Sequence, residues 1–240
     1  MKRVFLFTGG TSELGKATIL RLLQDKNGDD EYIVHGSSTS HKLKWLEDKI
    51  GNDKLHYIGA DFSRRAGVDA FLAEFKRLEL VPTHWIHLPA PSLEFTQFAK
   101  TSLISMDKNL QIGVYSAFSI AQVIIPQMKK VKRGKVVFVL SSCILSKTKY
   151  MASYSIAKHA LLGLMQSLVA EYESSGININ AVAPSMMQTQ FINQIPELAI
   201  SSIRESSRLN KLVDISDVAD GISFLLSSKI MSGVVLPITL

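Results

Sequence analysis

Short apolar runs alternate with longer segments of helical period along this whole chain, and no other feature restricts its fold as tightly. Val4–Thr8 reads as a strand, and Glu13–Gln24 as a helix whose Leu14, Ala17, Ile19, Leu20, Leu22 and Leu23 recur at helical spacing. Tyr32–Gly36 is strand-like and His41–Ile50 helical. Leu55–Gly59 is a further strand and Val68–Leu78 a further helix. Trp85–Leu88 reads as a strand stopped by Pro89 and Pro91. A long helix is expected from Ser102 to Ile125, ending at Pro126, because proline has no N–H to continue the ladder. Val136–Leu140 is continuously apolar, as a strand covered on both faces must be. Tyr154–Glu173 (helix), Ile177–Val182 (strand), Pro196–Ser206 and Ile215–Leu226 (helices) and Val234–Ile238 (strand) complete the series.

Strand and helix in strict alternation imply parallel strands joined by right-handed crossovers. The expected fold class is α/β: a single-domain, doubly wound Rossmann fold of about seven parallel strands with helices on both faces, spanning residues 1–240. In such sheets ligands bind beyond the carboxyl ends of the strands, where the strand order reverses. The chemistry belongs in the loops after the first, fourth, fifth and sixth strands.

Composition removes several alternatives. With 46% hydrophobic and 20% charged residues the chain is not disordered. A single cysteine, Cys143, excludes a disulfide scaffold and reads as a small buried residue. No apolar run reaches the ~18–20 residues of a membrane span, and the opening Met1–Phe7 runs straight into Thr8-Gly9-Gly10 with no cleavage site, so a cytoplasmic protein that meets no membrane is expected. The net charge of +6 is ordinary for solubility. The one dense basic run, Lys129-Lys130-Val131-Lys132-Arg133, has no interleaved aromatics, and no nucleic-acid partner is expected. Six histidines show no paired ligand spacing, so no metal site is expected, and His35, His56, His84 and His87 read as structural. Trp45 and Trp85 read as packing residues.

Thr8-Gly9-Gly10-Thr11-Ser12-Glu13-Leu14-Gly15 sits between the first strand and the first helix. Glycine there lets the backbone approach a phosphate, and the helix N-terminus offers free N–H groups to an anion. Further on, Tyr154 and Lys158 stand at i and i+4, on one helix face. An ammonium beside a phenol favours the phenolate, so Lys158 is expected to lower the Tyr154 pKa and suit it to proton transfer. Ser141-Ser142 ends the fifth strand twelve residues before Tyr154, where a hydroxyl would face the same cleft.

Together these residues resemble the short-chain dehydrogenase/reductase family, over essentially the whole chain and in the family's order; its 3-oxoacyl carrier-protein reductases are among the similar members. The resemblance implies Ser142, Tyr154, Lys158 and Asn109 as the catalytic set, with Asn109 keeping a water in a proton relay behind Lys158. It implies a cofactor site at Gly9, Thr11, Ser12, Glu13, Leu14 and Gly15 in the loop. Further contacts are implied at Ser37 and Ser38 after the second strand, Asp61 and Phe62 after the third, Ala90 after the fourth, and Pro184 and Thr189 in Asn180-Ala181-Val182-Ala183-Pro184-Ser185-Met186-Met187-Gln188-Thr189, besides Tyr154 and Lys158. The chain departs from the family where Glu13 replaces the middle glycine, placing a carboxylate where it repels a pyrophosphate unless it turns away. His87-Leu88-Pro89-Ala90-Pro91 stands for N-N-A-G, with His87 the candidate to replace the missing asparagine's hydrogen bonds. Ser185 follows Pro184 in place of glycine, and the end of the chain lacks the common D-G-G.

Val34–Lys42 contains no acidic residue to oppose a 2′-phosphate, and its hydroxyls with Lys42 offer to hold one, which favours NADP(H) over NAD(H). The expected activity is hydride transfer between nicotinamide and a small-molecule carbonyl or alcohol, with a 3-oxoacyl thioester as a candidate substrate and an acyl carrier protein as a candidate partner. The rival from another class is a non-catalytic nucleotide-binding or regulatory protein on the same scaffold, motivated by Glu13 and the two prolines. Residues 186–210 are expected to form a substrate lid, with Met186 and Met187 lining a pocket or filling core. The family implies a homotetramer or homodimer. The basic run closing the long helix is expected at the opposite sheet edge from Ser142.

Overall fold

The computed structural model describes residues 2–25, 28–38, 43–51, 53–90 and 93–240. The seven strands are β1 (Val4–Thr8), β2 (Glu31–Gly36), β3 (Leu55–Gly59), β4 (His84–His87), β5 (Gly134–Val139), β6 (Ile177–Pro184) and β7 (Val235–Ile238). They form one parallel sheet in the order β3-β2-β1-β4-β5-β6-β7. The order reverses between β1 and β4, which puts the switch point beside the glycine loop. The helices are α1 (Glu13–Gln24), α2 (Lys44–Ile50), α3 (Arg65–Arg77), α4 (Leu103–Leu110), α5 (Ser116–Lys130), α6 (Ala152–Tyr172), α7 (Glu197–Ser206) and α8 (Ile215–Ser227). None of the described helices is long and apolar enough to cross a membrane.

Period-two alternation in the strands supplies two cores at once. Val4 and Leu6 of β1, and Val136 and Phe138 of β5, pack with Phe71 of α3, Ile120 of α5 and Leu161 of α6. The residues between them, Phe5, Phe7, Val137 and Val139, pack on the other face with Ile19 of α1, Leu46 of α2 and Ile222 of α8. Trp85 is fully buried, as a packing residue should be, and its indole N–H donates to the Thr8 hydroxyl at 3.1 Å. A third apolar cluster, built from Leu93, Cys143, Tyr154, Ile192, Ile195, Ile200 and Leu212, lies beyond the sheet among the loops at the carboxyl ends of the strands.

The long helix differs from expectation. It is interrupted by a π turn at Gln111–Tyr115, and it runs through Pro126 to Lys130. Pro126 and Gln122, whose carbonyl loses its partner to the missing N–H, are both exposed, so the lost bond falls on the solvent side of α5, where it costs least, and the helix continues. The basic run therefore closes α5 beside the start of β5, at the sheet edge away from the serines, as expected. Among the predicted helices, the one starting at His41 is seen from Lys44; His41 and Lys42 lie outside the described residues, as do Thr39, Ser40 and Pro91.

Candidate active site

The loop after β1 sits where its glycines are needed. Gly9 has φ +72°, and a Cβ there would lie 3.0 Å from the Pro89 nitrogen. A Cβ on Gly15 would lie 2.4 Å from the Gly10 carbonyl oxygen, so the first turn of α1 packs directly on the loop rather than on the strand. Ser12 caps α1 by accepting the Gly15 N–H at 3.1 Å and donates to the Gly9 carbonyl at 2.9 Å. His35 locks the loop from β2: its Nδ1 accepts the Gly9 N–H at 3.0 Å and its Nε2 donates to the Ala60 carbonyl at 2.8 Å. Burial pulls its pKa down to about 4, so the ring is neutral and able to accept. Phe62 stacks on the same ring with centroids 3.8 Å apart. At the end of β4, His87 bonds the Thr8 hydroxyl across the strand pair at 2.9 Å, which ties the two loops of the switch point together.

A cavity of about 960 Å³ opens from this loop across the carboxyl ends of the strands. It is lined by Gly9, Thr11, Ser12, Glu13 and Leu14; by Ser37, Asp61 and Phe62; by Ala90; and by Pro184 and Thr189. Gly15 serves the loop from behind, by packing. Ser38 gives its backbone carbonyl to the Tyr57 hydroxyl at 2.6 Å instead of lining the cavity. Asp61 is exposed and accepts from the Ser63 N–H and hydroxyl, which hold its carboxyl below its ordinary value. A glycine cradle open to a helix N-terminus and a cavity this long fit a dinucleotide.

The other end of the cavity holds Ser141, Ser142, Tyr154 and Lys158. Ser142, expected to orient the substrate oxygen, lines the cavity beside Ser141, and it is Ser141, not Ser142, whose side chain acts on the Tyr154 phenol. The backbone is still extended at Ser141 (φ −162°) and turns into a 3₁₀ turn at Ser142, whose carbonyl accepts from Leu145 and Ser146. Nor does Lys158 depress Tyr154 in this state. Burial raises the Tyr154 pKa, and the opposing influence is the Ser141 hydrogen bond. The Lys158 ammonium lies 5.7 Å from the Tyr154 ring centroid and donates to the Val139 carbonyl at 2.7 Å. Burial lowers its own pKa to about 8. Asn109 is buried on α4 and donates from Nδ2 to the Ser153 hydroxyl at 3.0 Å, bracing the residue next to Tyr154 without reaching the cavity wall.

The chain between β6 and α8 covers this end. It leaves at Met187 and returns at Val213, which pair as a parallel bridge, and it carries a 3₁₀ turn (Gln190–Gln194) and α7. Phe191 packs on Tyr154 with centroids 5.9 Å apart. Met186 and Met187 both line the cavity, and each also packs against an apolar cluster, so neither reading excluded the other. The departure at Glu13 finds its explanation here: its carboxylate accepts the Gln190 N–H at 2.9 Å, turning toward this covering segment. The carboxylate still stands at the first turn of α1, so Glu13→Gln, which keeps an acceptor and removes the charge, should lower the dissociation constant of a dinucleotide about two- to fivefold. Weaker binding in a fluorescence titration would show that the tie to Gln190 outweighs the repulsion.

A family model described as short chain dehydrogenase matches residues 3–198. The chain belongs to this family and is an oxidoreductase of it. It is 26% identical over 231 residues to the 3-oxoacyl-(acyl-carrier-protein) reductase FabG of Buchnera aphidicola, covering 95% of this chain and 91% of that protein. Its fold is shared with ElxO with NADP bound (TM-score 0.84, 24% identity, 99% of this chain and 97% of that chain). It is shared equally with an NAD+-bound xylitol dehydrogenase (TM-score 0.84, 20% identity, 99% and 97%).

Proposed function

We propose that this chain is an NADP(H)-dependent carbonyl reductase, reversible as an alcohol dehydrogenase, and that a 3-oxoacyl thioester is the first substrate class to try. The observation that carries the reading is Ser141, Tyr154 and Lys158 converging at one end of a cavity whose other end is a glycine cradle at a helix N-terminus. The bound nicotinamide supplies or accepts the hydride. The backbone of Gly9–Ser12 and the first N–H groups of α1 would receive the phosphates; Asp61, Phe62 and Ala90 would flank the adenosine, and Pro184 and Thr189 the nicotinamide. Tyr154 gives its proton to the substrate oxygen. Its pKa is raised, so it is in the donor form at neutral pH. Ser141 orients that oxygen, the role expected of its neighbour. Lys158 would hold the ribose through its ammonium, while Asn109 keeps a water in the relay behind it. Residues 186–210 act as the lid.

The preference for NADP(H) is supported by Ser37 on the cavity wall and by the lack of any acidic residue in Val34–Lys42. Nicotinamide fluorescence titration should give NADPH at least about tenfold tighter binding than NADH, the scale of charge-assisted hydrogen bonds to a phosphate. Equal or tighter NADH binding overturns the preference, and no binding of either overturns the function. The family match and the absence of a membrane-crossing helix among the described residues support a cytoplasmic enzyme. Exposed Phe98, Leu103, Ile104, Tyr115 and Phe118 on and around α4 and α5 support a homodimer or homotetramer. An acyl carrier protein as partner rests on the likeness to FabG alone, and the basic run lies at the wrong edge to receive it at this subunit's own cavity.

A further inference from the structure

The cavity is divided by chemistry. Its ionisable side chains at the glycine-loop end are already bound within the protein: Glu13 to the Gln190 N–H, Asp61 to Ser63, and His35 to Gly9 and Ala60. Lys158 is the one lysine on the wall, held by the Val139 carbonyl, and no arginine lines the cavity among the described residues. Arg204 of the lid opens instead into a separate hollow with Glu197 and Gln188. The side chains that pack with Tyr154 on the wall are apolar, Leu93, Met151, Met186, Phe191, Ile192 and Ile195, while Ser142, Ser146 and Thr148 add uncharged hydroxyls to the same cavity. Most of the apolar wall is delivered by the lid, and Phe191 stands over the tyrosine ring itself.

Resting on the hydride-transfer reading above, we propose that the substrate is an uncharged ketone, or its secondary alcohol, whose carbonyl carries an apolar chain or ring seated against Phe191, Met186 and Ile195. A carboxylate beside the reacting carbonyl would be taken from water into a wall that offers it no free cation. Burying an unpaired charge is far more costly than burying the same chain without it. Each added methylene, by contrast, gains contact with the apolar wall. The hydroxyls of Ser141 and Tyr154 meet the carbonyl oxygen alone. The charged part of a larger substrate, a thioester carrier among them, would have to stay outside the mouth.

The test compares octan-2-one, butan-2-one and 2-oxooctanoate as substrates with NADPH, and as ligands of the cofactor-free protein by isothermal calorimetry. Octan-2-one should exceed 2-oxooctanoate by at least about 100-fold in kcat/KM, the scale of an unpaired buried charge. It should also exceed butan-2-one severalfold per methylene. Phe191→Arg, a partly exposed lid position, should narrow the gap to 2-oxooctanoate by about tenfold or more, whereas Phe191→Leu should preserve it. Equal or faster reduction of 2-oxooctanoate by the wild type overturns the inference and leaves the hydride-transfer reading standing. Binding of octan-2-one but not of the oxo acid, with no turnover of either, supports the inference and overturns that reading. Neither binding nor turnover of any ketone overturns both.

Discussion

Replacing Tyr154 by phenylalanine should lower turnover about 10²–10⁴-fold while leaving the fold intact, the range that a positioned general acid contributes. The substitution removes one oxygen. The ring keeps its place between Cys143 and the covering segment, and among the described residues the group that loses a partner is the Ser141 hydroxyl, which opens onto the cavity. Circular dichroism and NADPH affinity should therefore match the wild type, and the loss should fall on kcat. A phenylalanine variant with near wild-type turnover would remove Tyr154 as the proton donor. The wild-type pH profile for carbonyl reduction carries a second sign. Tyr154 is held protonated by burial, so loss of the donor does not limit the rate near neutrality. Burial brings the Lys158 pKa down to about 8, so the ammonium that would donate to a ribose hydroxyl is lost above that value. The rate should stay level through neutral pH and decline as pH rises past about 8.

The sheet was legible because most strands are short, largely apolar runs between turn residues, and buried parallel strands need no subtler code. Both cores follow from alternation within those runs. The helices at the sheet faces were legible from their period, but the break at Gln111–Tyr115 was not. A π turn inserts one residue into a helix and leaves the apolar pattern on either side recognisable as one helix. Pro126 misled because its cost depends on whether the freed carbonyl meets water, and exposure is a tertiary property. The site residues were legible as types at spacings: the glycine loop, Tyr154 with Lys158, a serine pair. What joins them was not. The Glu13–Gln190 tie spans 177 positions, and His35 reaches Gly9 from the next strand, so no local pattern announces either contact. A carboxylate that looked like an obstacle to a pyrophosphate is, in the fold, tied to the segment that covers the site.

The serine pair yields the last expected result, because two neighbouring residues of the same type are separated only by where the strand ends. Ser141→Ala should lower kcat/KM for carbonyl reduction about 10²–10³-fold, the effect of removing one donor from a developing oxyanion. Ser142→Ala should cost far less. The backbone accounts for the difference. Ser141 continues the extended conformation of β5, and its hydroxyl meets the phenol, while its oxygen also accepts weakly from the Cys143 N–H at 3.4 Å. Ser142 begins the 3₁₀ turn, and its carbonyl accepts from the Leu145 N–H and the Ser146 hydroxyl, bonds that an alanine retains. The Ser141 variant should also titrate differently, since the hydrogen bond that favours the Tyr154 phenolate goes with the hydroxyl. Alcohol oxidation, which needs that phenolate, should then shift its pH dependence to higher pH, whereas Ser142→Ala should leave the profile in place. If the two variants lose activity in the reverse order, with Ser142→Ala the crippled one, the catalytic serine is the one the resemblance implies, and the hydrogen bond from Ser141 to Tyr154 serves only to hold the ring.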